Sequence, residues 1–375
     1  MANQVILAVA GSGKTYHICH SVNMQEKNLI LAFTHENLRN IRRELIDANG
    51  GRFPELTNVM TFDSFLYGYI VQPYEPSILS HFNRSDFKSE GITMSPPPQI
   101  QIKRNGRSFP NPHYFKKGTF GHYISPKGFY YCETLAELIM TIKKGKDSLI
   151  KRVSKKMREF YDRILVDEFQ DFRESDYDLI CEMAKFSNNV TLVGDFYQHS
   201  VSGKKNTGTP FKKGKHEISY EMFLNELRRK KFIIDEQSLT KSRRCAKEIC
   251  DFIQQKLGIS IESQEINHGT INWVDESQIE EILNNKNITK LIYNDSSKYS
   301  FPAINWTYSK GDTMDETCVI LTGPFEKIDQ DNFNFFGIEQ SKINRLYVAL
   351  SRTKGNLHLV KKSTFDKVKE LYKAT

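Results

Sequence analysis

The sequence predicts an α/β protein built on parallel β-sheets that carry helices on both faces. Short apolar runs rich in β-branched residues alternate with amphipathic stretches, and a glycine-rich turn joins the first run to the first helix. A second series of apolar runs begins near residue 237. Because strand and helix in alternation are typical of parallel sheets, the two series indicate two such sheets in one chain.

The candidate strands are short apolar segments. In the first half they are Val5–Val9, Leu29–Phe33, Asn58–Phe62, Ile164–Val166 and Val190–Val193. In the second half they are Leu291–Tyr293, Ile304–Thr307, Cys318–Leu321 and Leu357–Val360. The amphipathic stretches between the strands predict covering helices, for example at Glu36–Ile46 and Ser175–Lys185.

A basic stretch at 228–231 marks the predicted change of domain. Within the first domain, a proline-rich segment disfavours long helices and central strands, so we predict a β-containing insertion there. Thr134 and Glu137 then fit a capping box that opens a helix leading back to the core. The predicted domains are 1–72 with 131–230, the insertion 73–130, and 231–375.

The composition restricts the class of protein. The 375 residues are 39% hydrophobic and 26% charged, and no apolar run approaches the ~18 residues that suggest a membrane span. The start runs directly into the glycine-rich turn, so we expect no signal peptide. Six cysteines without CxxC or metal-ligand spacing favour reduced core thiols and a cytoplasmic protein. A net charge of +8 is compatible with a polyanionic partner.

The segment AVAGSGKT at 8–15 follows the first strand and opens a helix, as a phosphate-binding loop does. Its glycines let backbone N–H groups surround a β-phosphate, and the helix N-terminus adds partial positive charge. Lys14 would contact the β- and γ-phosphates, and Thr15 would ligate Mg²⁺. The predicted nucleotide contacts are Ala10, Gly11, Ser12, Gly13, Lys14 and Thr15.

The segment VDEFQD at 166–171 ends an apolar strand with a pair of carboxylates. Asp167 would bind Mg²⁺ together with Thr15, while Glu168 would polarise the attacking water. Gln198, in GDFYQ after the next strand, could hydrogen-bond both that water and the γ-phosphate. Acidic pairs at strand ends are often only solvated turn residues, but the phosphate-binding loop upstream favours the catalytic alternative.

Two arginines in the second half could supply the positive charge that hydrolysis of a γ-phosphate requires. Arg244 lies in LTKSRRC at 239–245, and Arg352 lies in ALSRTK at 349–354. Each alone could equally form a surface ion pair. A nucleotide in a cleft between two domains would let both arginines reach its γ-phosphate.

These segments, in this order, resemble the superfamily 1 DNA helicases of the UvrD/Rep/PcrA type. The likeness also covers LAFTHENLRNIRREL at 31–45, VMTFDSF at 59–65 and SKGDTMD at 309–315. It implies two tandem RecA-like domains with ATP between them and single-stranded nucleic acid across their top. By this resemblance Gly311 contacts the nucleotide, and the hydroxyls that meet nucleic-acid phosphates are those of Thr34, Thr61 and Thr307 or Ser309.

The chain differs from that family in ways that indicate a minimal version. The upstream glutamine segment that reads adenine has no counterpart before the first strand. Only about 64 residues separate Arg244 from Ser309, too few for the large second-domain insertion. The segment after GDFYQ has Phe211 as its one aromatic residue, where the family stacks bases.

Two basic regions are candidates for nucleic-acid contact, and each has a plainer alternative. Lysines in the loop after GDFYQ either contact phosphates or are simply solvated. The insertion alternates basic and aromatic residues between Lys103 and Tyr123. These residues would follow phosphates and stack bases, or else form a flap whose aromatics build their own small core. The loop lysines are Lys204, Lys205, Lys212, Lys213 and Lys215.

The sequence therefore predicts an ATP- and Mg²⁺-dependent helicase or translocase stimulated by single-stranded DNA, with RNA not excluded and 3′→5′ movement implied by the resemblance. The alternative is a nucleic-acid-gated ATPase subunit that switches a partner protein, such as a nuclease, without processive unwinding. A small-molecule kinase with a P-loop would explain neither the order of the segments nor the second-domain arginines.

Overall fold

Two parallel β-sheets organise the computed structural model of the chain. The structure describes residues 2–374 except 86, 105, 145–146, 188, 200–209 and 215. A six-stranded sheet lies in the first part of the chain and a five-stranded sheet in the second. We call residues 2–239 the first lobe and residues 240–374 the second lobe.

Each apolar run named in the sequence corresponds to a strand, mostly to within one residue, and further short strands and edge strands are present as well. In the first lobe the strands are β1 (Gln4–Ala8), β2 (Asn28–Ala32), β3 (Thr57–Thr61), β4 (Gly91–Thr93), β5 (Gln101–Arg104), β6 (Arg107–Pro110), β7 (Phe129–Tyr131), β8 (Lys143–Lys144), β9 (Asp147–Ser148), β10 (Arg163–Val166), β11 (Val190–Gly194), β12 (Lys212–Lys213), β13 (His216–Glu217) and β14 (Ile233–Leu239). In the second lobe they are β15 (Lys241–Ser242), β16 (Glu262–Ser263), β17 (Ile271–Val274), β18 (Thr289–Ile292), β19 (Ala303–Asn305), β20 (Thr317–Ile320) and β21 (Leu357–Val360).

Helices connect the strands and cover the sheets. In the first lobe they are α1 (Lys14–His20), α2 (His35–Ala48), α3 (Phe62–Phe65), α4 (Glu75–His81), α5 (Phe120–Tyr123), α6 (Leu135–Thr141), α7 (Leu149–Phe160), α8 (Glu174–Ser187) and α9 (Tyr220–Arg229). In the second lobe they are α10 (Lys247–Leu257), α11 (Ile279–Asn284), α12 (Gln340–Leu350) and α13 (Lys362–Val368). Each helix in the described part of the chain is too short or too polar to span a membrane.

The first sheet has the strand order β14-β1-β11-β10-β2-β3, and every neighbouring pair is parallel. Side chains alternate between its faces, so Val5 and Leu7 enter one core while Ile6 and Ala8 enter the core on the other side. The sheet is therefore buried on both faces, as the continuous apolar runs predicted.

The second sheet has the order β17-β21-β20-β18-β19 and is also parallel throughout. Leu357 and Leu359 of β21 enter one core, and Val360 enters the opposite one. The prediction of an α/β fold with two parallel sheets is confirmed.

Strand β14 lies beyond the position where the sequence placed the domain change. It pairs with β1 from Gln4↔Ile233 to Ala8↔Leu239, so the first sheet extends past residue 230. The sheets therefore divide after residue 239. The division of the chain into two separate domains stays a prediction.

The proline-rich insertion contains helices as well as strands. It holds α4 and α5, the parallel pair β4–β7 and the antiparallel hairpin β5–β6. Tyr123 and Tyr130 enter the main core of the first lobe, whereas Phe109 of the hairpin is 45% exposed. Some aromatic residues of the insertion thus belong to the main core rather than to a small core of their own, and contact of the others with nucleic acid stays a prediction.

The capping box at residue 134 does not form, although helix α6 begins where it was expected. The hydroxyl of Thr134 donates to the carbonyl oxygen of Tyr131 over 3.2 Å, and Glu137 accepts from the hydroxyl of Tyr123 over 3.0 Å. A single helical turn, Cys132–Thr134, precedes α6 and takes the hydroxyl that would have capped it.

The loops that follow β1, β10 and β11 leave the same edge of the first sheet, because these strands are neighbours and parallel. Carboxyl ends of parallel strands are where such folds bind ligands. The second lobe approaches this edge, since Val9 and Ala10 pack into its core cluster. The candidate site lies where this edge meets the second lobe.

Candidate active site

The loop between β1 and α1 turns at two glycines in the left-handed region. Gly11 has a φ of 72° and Gly13 a φ of 85°, angles that residues with a Cβ rarely adopt. A Cβ on Gly11 would lie 2.7 Å from the Cβ of Arg244 and from the Oγ of Ser242. Glycine at residue 11 thus permits both the turn and the close approach of the second lobe.

Oxygen ligands suitable for Mg²⁺ converge beside this loop. The hydroxyl of Thr15 donates to Oδ2 of Asp167 over 2.9 Å, and Asp167 is buried at the end of β10. Mg²⁺ prefers hard oxygen ligands and commonly combines one or two protein groups with substrate phosphates and water. Within the described ranges, no group of three or more His, Cys, Asp or Glu side chains could hold a metal ion by itself. The oxygens of Thr15 and Asp167 are of the kind that could ligate a Mg²⁺ that a nucleotide also holds, and this role stays a prediction.

The two carboxylates of the DEFQD segment have different surroundings. Nζ of Lys14 lies 3.4 Å from Oε1 of Glu168. Burial alone would raise the pKa of Glu168, but the ammonium groups of Lys14 and Lys310 outweigh burial and lower that pKa. Burial, followed by the charge of Glu168, raises the pKa of Asp167. Glu168 is therefore the more acidic member of the pair.

A chain of hydrogen bonds connects Glu168 to Gln198. The amide nitrogen of the Gln170 side chain donates to Oε2 of Glu168, and its amide oxygen accepts from the backbone N–H of Asp195 over 3.0 Å. The side-chain amide of Gln198 donates to Oδ2 of Asp195 over 2.9 Å. Gln198 is buried and lines the cavity. Sequence reasoning named Gln198 but not Gln170 or Asp195, which connect it to Glu168.

Arg244 and Arg352 line the same cavity as Lys14, and its volume is about 320 Å³. The guanidinium of Arg352 donates to the carbonyl oxygen of Val348 over 2.8 Å, and that of Arg244 donates to the carbonyl oxygen of Ser351 over 3.0 Å. Neither forms an ion pair with a described carboxylate. Burial, with the neighbouring charge of Arg244, lowers the pKa of Arg352 to about 10. Two neighbouring cations held by backbone carbonyls favour an anionic ligand.

The cavity contains a second lysine that sequence reasoning missed. Lys310, from the second lobe, donates to Oδ1 of Asp171 and lies 4.0 Å from Oε2 of Glu168. Gly311, with a φ of 93°, lines the cavity next to it, where the resemblance placed a nucleotide contact. The SKGDTMD segment was the available signal, but its lysine carried no role in the sequence interpretation.

The predicted nucleic-acid contacts are dispersed. Thr34 lines the cavity that contains Lys14, and its hydroxyl caps α2 by accepting from the backbone N–H of Asn37 over 3.1 Å. Thr61 is buried and caps α3 through the N–H of Ser64 over 3.2 Å. Thr307 is half-buried in the turn before Lys310. Lys204 and Lys205 lie outside the described residues.

A second cavity, of about 490 Å³, adjoins the first and shares Gly13 and Tyr16 with it. Tyr16 stacks on His20 with the ring centroids 3.7 Å apart. The guanidinium of Arg243 also lies over the ring of Tyr16, with its Cζ 4.5 Å from the centroid of that ring. Arg243 comes from the second lobe, so this planar stack crosses the cleft next to the phosphate-binding loop.

A family model described as an AAA domain matches residues 2–204, which is more than half of the chain. The chain belongs to the AAA domain family. The matched residues include the loop between β1 and α1, the DEFQD segment and Gln198. A search of curated proteins found no match.

Several solved structures resemble this chain over nearly its whole length. A helicase of PRRSV matches with 15% identity and a TM-score of 0.44, covering 96% of this chain and 52% of that one. Arterivirus nonstructural protein 10, a helicase, matches in a structure of its complex with DNA, with 12% identity and a TM-score of 0.43, covering 96% of this chain and 61% of that one. Another structure of arterivirus nonstructural protein 10 matches with 12% identity and a TM-score of 0.42, covering 99% of this chain and 62% of that one. The chain spans between about half and three-fifths of the length of these proteins.

Proposed function

We propose that this chain is a helicase-type ATPase of superfamily 1, similar to the UvrD/Rep/PcrA group. It would hydrolyse ATP with Mg²⁺ and couple hydrolysis to movement along single-stranded nucleic acid. The observation that carries the proposal is one cavity lined by Lys14 from the first lobe and by Arg244 and Arg352 from the second. A triphosphate held there would contact both lobes, so its hydrolysis would alter how they meet.

The side chains divide the chemistry between them. Lys14 would bind the β- and γ-phosphates, and Thr15 and Asp167 would hold the Mg²⁺, which neutralises phosphate charge. Glu168 would take a proton from the attacking water on a carboxylate oxygen.

The remaining side chains act on the γ-phosphate. Gln198 would orient the attacking water. Arg244 and Arg352 would stabilise the charge that develops on the phosphate oxygens. Because both arginines belong to the second lobe, hydrolysis would require the lobes to be together.

The deciding experiment measures ATP hydrolysis by the purified chain with and without single-stranded DNA. Glu168→Gln should lower kcat by about 10²–10⁴-fold, the range for loss of a general base, while ADP still binds. Glu221→Gln, an exposed carboxylate of α9, is the matched control and should behave as the parent. Equal activity of the parent and Glu168→Gln would reject the proposal.

A second candidate is a nucleic-acid-gated ATPase subunit that switches a partner, such as a nuclease. The observation that favours it is the compactness of the second lobe between Arg244 and Ser309, where β16, β17, β18 and β19 with helices α10 and α11 occupy the described chain. Displacement of a strand from a partial duplex separates the candidates. DNA-stimulated hydrolysis without displacement would support the switch.

In either case we place the protein in the cytoplasm, where its six buried, unpaired cysteines would stay reduced.

A further inference from the structure

Lys310 forms an ion-pair bridge across the cleft. It lies in the second lobe between the turn Trp306–Ser309 and β20. Its ammonium donates to Oδ1 of Asp171, in the turn that follows β10 of the first lobe. Its side chain is only 16% exposed, so the bridge is inside the cavity and is poorly screened by water.

The carboxylate of Glu168 is held on both of its oxygens. Oε1 faces Nζ of Lys14 at 3.4 Å, while Oε2 accepts from Gln170 and lies 4.0 Å from Nζ of Lys310. The backbone of Glu168 is in the left-handed region, with a φ of 56°, which a residue with a side chain adopts only at a cost. Its position therefore depends on these contacts.

A bound nucleotide would compete with Glu168 for the ammonium of Lys14, because its phosphates carry more negative charge than the carboxylate. When its ammonium moves to the phosphates, Oε1 of Glu168 loses its cation. Lys310 and Gln170 remain on the Oε2 side, and Lys310 belongs to the other lobe. The one cation that then remains near this carboxylate among the described residues, Lys310, is thus present only while the lobes are together, whereas Gln170 stays with the first lobe.

We propose that Lys310 is a positioning residue, which bridges Asp171 and Glu168 across the cleft and holds Glu168 in place only when the two lobes are closed. This inference rests on the proposed function, because it assigns the timing of hydrolysis to that site. Opening of the cleft would release Glu168 and stop hydrolysis, so nucleotide would not be consumed in the open state.

The first test compares Lys310→Ala with Asp171→Asn and with the double variant. Each single variant should lower kcat by about 10- to 100-fold, as misplacement of a reacting group does, with KM and ADP affinity close to the parent. The double variant should be no slower than the slower single variant, because both remove the same bridge. Lys310→Arg should recover part of kcat.

The matched control is Lys361→Ala, which breaks the ion pair of Lys361 with Asp329 (2.6 Å) elsewhere in the second lobe. It should leave kcat unchanged. An unchanged kcat in Lys310→Ala would overturn the proposal. So would a raised KM for ATP in Lys310→Ala with full activity of Asp171→Asn, because Lys310 would then contact the phosphate itself.

The second test does not depend on hydrolysis. Spin labels on cysteines introduced at the exposed Gln25 and Lys286 report the distance between the lobes. Without nucleotide, the distance distribution should be narrow in the parent background and in Lys310→Arg and broader in Lys310→Ala. A narrow distribution in Lys310→Ala would overturn the bridge. A parent that hydrolyses no ATP would reject the proposed function, and this measurement would still decide whether the bridge joins the lobes.

Discussion

The hydroxyl of Tyr347, in α12 of the second lobe, donates to Oδ2 of Asp195 in the first lobe over 3.1 Å. The same hydroxyl accepts the backbone N–H of Ala10, in the phosphate-binding loop, over 2.7 Å. All three residues are buried. One side chain of the second lobe thus fixes both the loop that would hold the phosphates and the carboxylate that holds Gln198.

Removal of this hydroxyl should weaken both the fold and the site. In Tyr347→Phe, a buried N–H and a buried carboxylate lose a partner, so we expect about 1–3 kcal/mol less stability in chemical denaturation. We also expect slower ATP hydrolysis, because Asp195 and Gln198 are no longer fixed. Tyr293→Phe is the control, since Arg345 donates to that hydroxyl within the second lobe over 2.9 Å. Equal stability of the two variants would contradict the prediction.

The hydroxyl of Thr15 should determine the requirement for Mg²⁺. In Thr15→Ala the oxygen that lies 2.9 Å from Asp167 is lost. We expect the Mg²⁺ concentration for half-maximal hydrolysis to rise about 10- to 100-fold, which is the loss of metal affinity typical of substitutions around a metal site. Thr15→Ser keeps the oxygen and should titrate like the parent. A Thr15→Ala titration that matches the parent would remove Thr15 from the metal site.

The central strands were predictable from sequence because they are buried on both faces and read as continuous apolar runs. β14 and β17 were missed for the opposite reason. Both are edge strands, and β14 (IIDEQSL) exposes or half-exposes Asp235 and Glu236, so it lacks an apolar run. Trp273 of β17 is likewise 36% exposed. Because β14 was not recognised, the sequence placed the domain change near residue 230, whereas the first sheet extends to Leu239.

Residues of the candidate site were predictable where they lie in a short segment that is recognisable by itself, such as a glycine-rich turn or a charged pair at the end of a strand. Lys14, Glu168 and Gln198 belong to such segments, and the structure brings them to one cavity. The partners that hold them were not predicted. Lys310 lies in the SKGDTMD segment, but its contact with Asp171, like that of Tyr347 with Asp195, arises only from the packing of the two lobes. The location of Thr34 inside the cavity depends on the same packing.

His199 should make stability depend on pH. Burial is the main cause that lowers its pKa to about 4, against an ordinary value of 6.5, and its ring stacks on Phe211 at 4.7 Å. Between pH 6.5 and 4, His199 therefore binds a proton in the unfolded chain but stays neutral in the folded chain. The free energy of unfolding thus falls as the pH falls through that range. At about 1.4 kcal/mol per pKa unit, the loss by pH 4 is about 3 kcal/mol.

A denaturation series from pH 7.5 to 4.5 tests this. His199→Gln, which cannot take up a proton, should lose less stability over that range than the parent does. The variant is expected to be less stable at pH 7.5, since it lacks the ring stack. The quantity to compare is therefore the slope of the free energy of unfolding against pH in the variant and in the parent. Parallel slopes would show that His199 titrates alike in the folded and unfolded chain.

The stack of Arg243, Tyr16 and His20 should hold the base of the nucleotide. The cavity beside it shares Gly13 and Tyr16 with the cavity at Lys14, so a nucleoside could extend into it from a triphosphate held at Lys14. Planar guanidinium and aromatic groups bind any base by stacking, at about 1–3 kcal/mol. We therefore expect ATP, GTP, CTP and UTP to be hydrolysed with similar kcat.

Replacement of Arg243 separates base binding from phosphate binding. In Arg243→Ala we expect KM to rise about tenfold for all four nucleotides with kcat retained, because one stacking partner is lost. Inhibition by inorganic tripolyphosphate should stay at the parent level, since that ligand has no base. Arg152→Ala, which removes a guanidinium from Tyr74 at 5.8 Å on the surface of α7, is the matched control. An unchanged KM in Arg243→Ala would place the base elsewhere, and a parallel loss of tripolyphosphate inhibition would instead assign Arg243 to the phosphates.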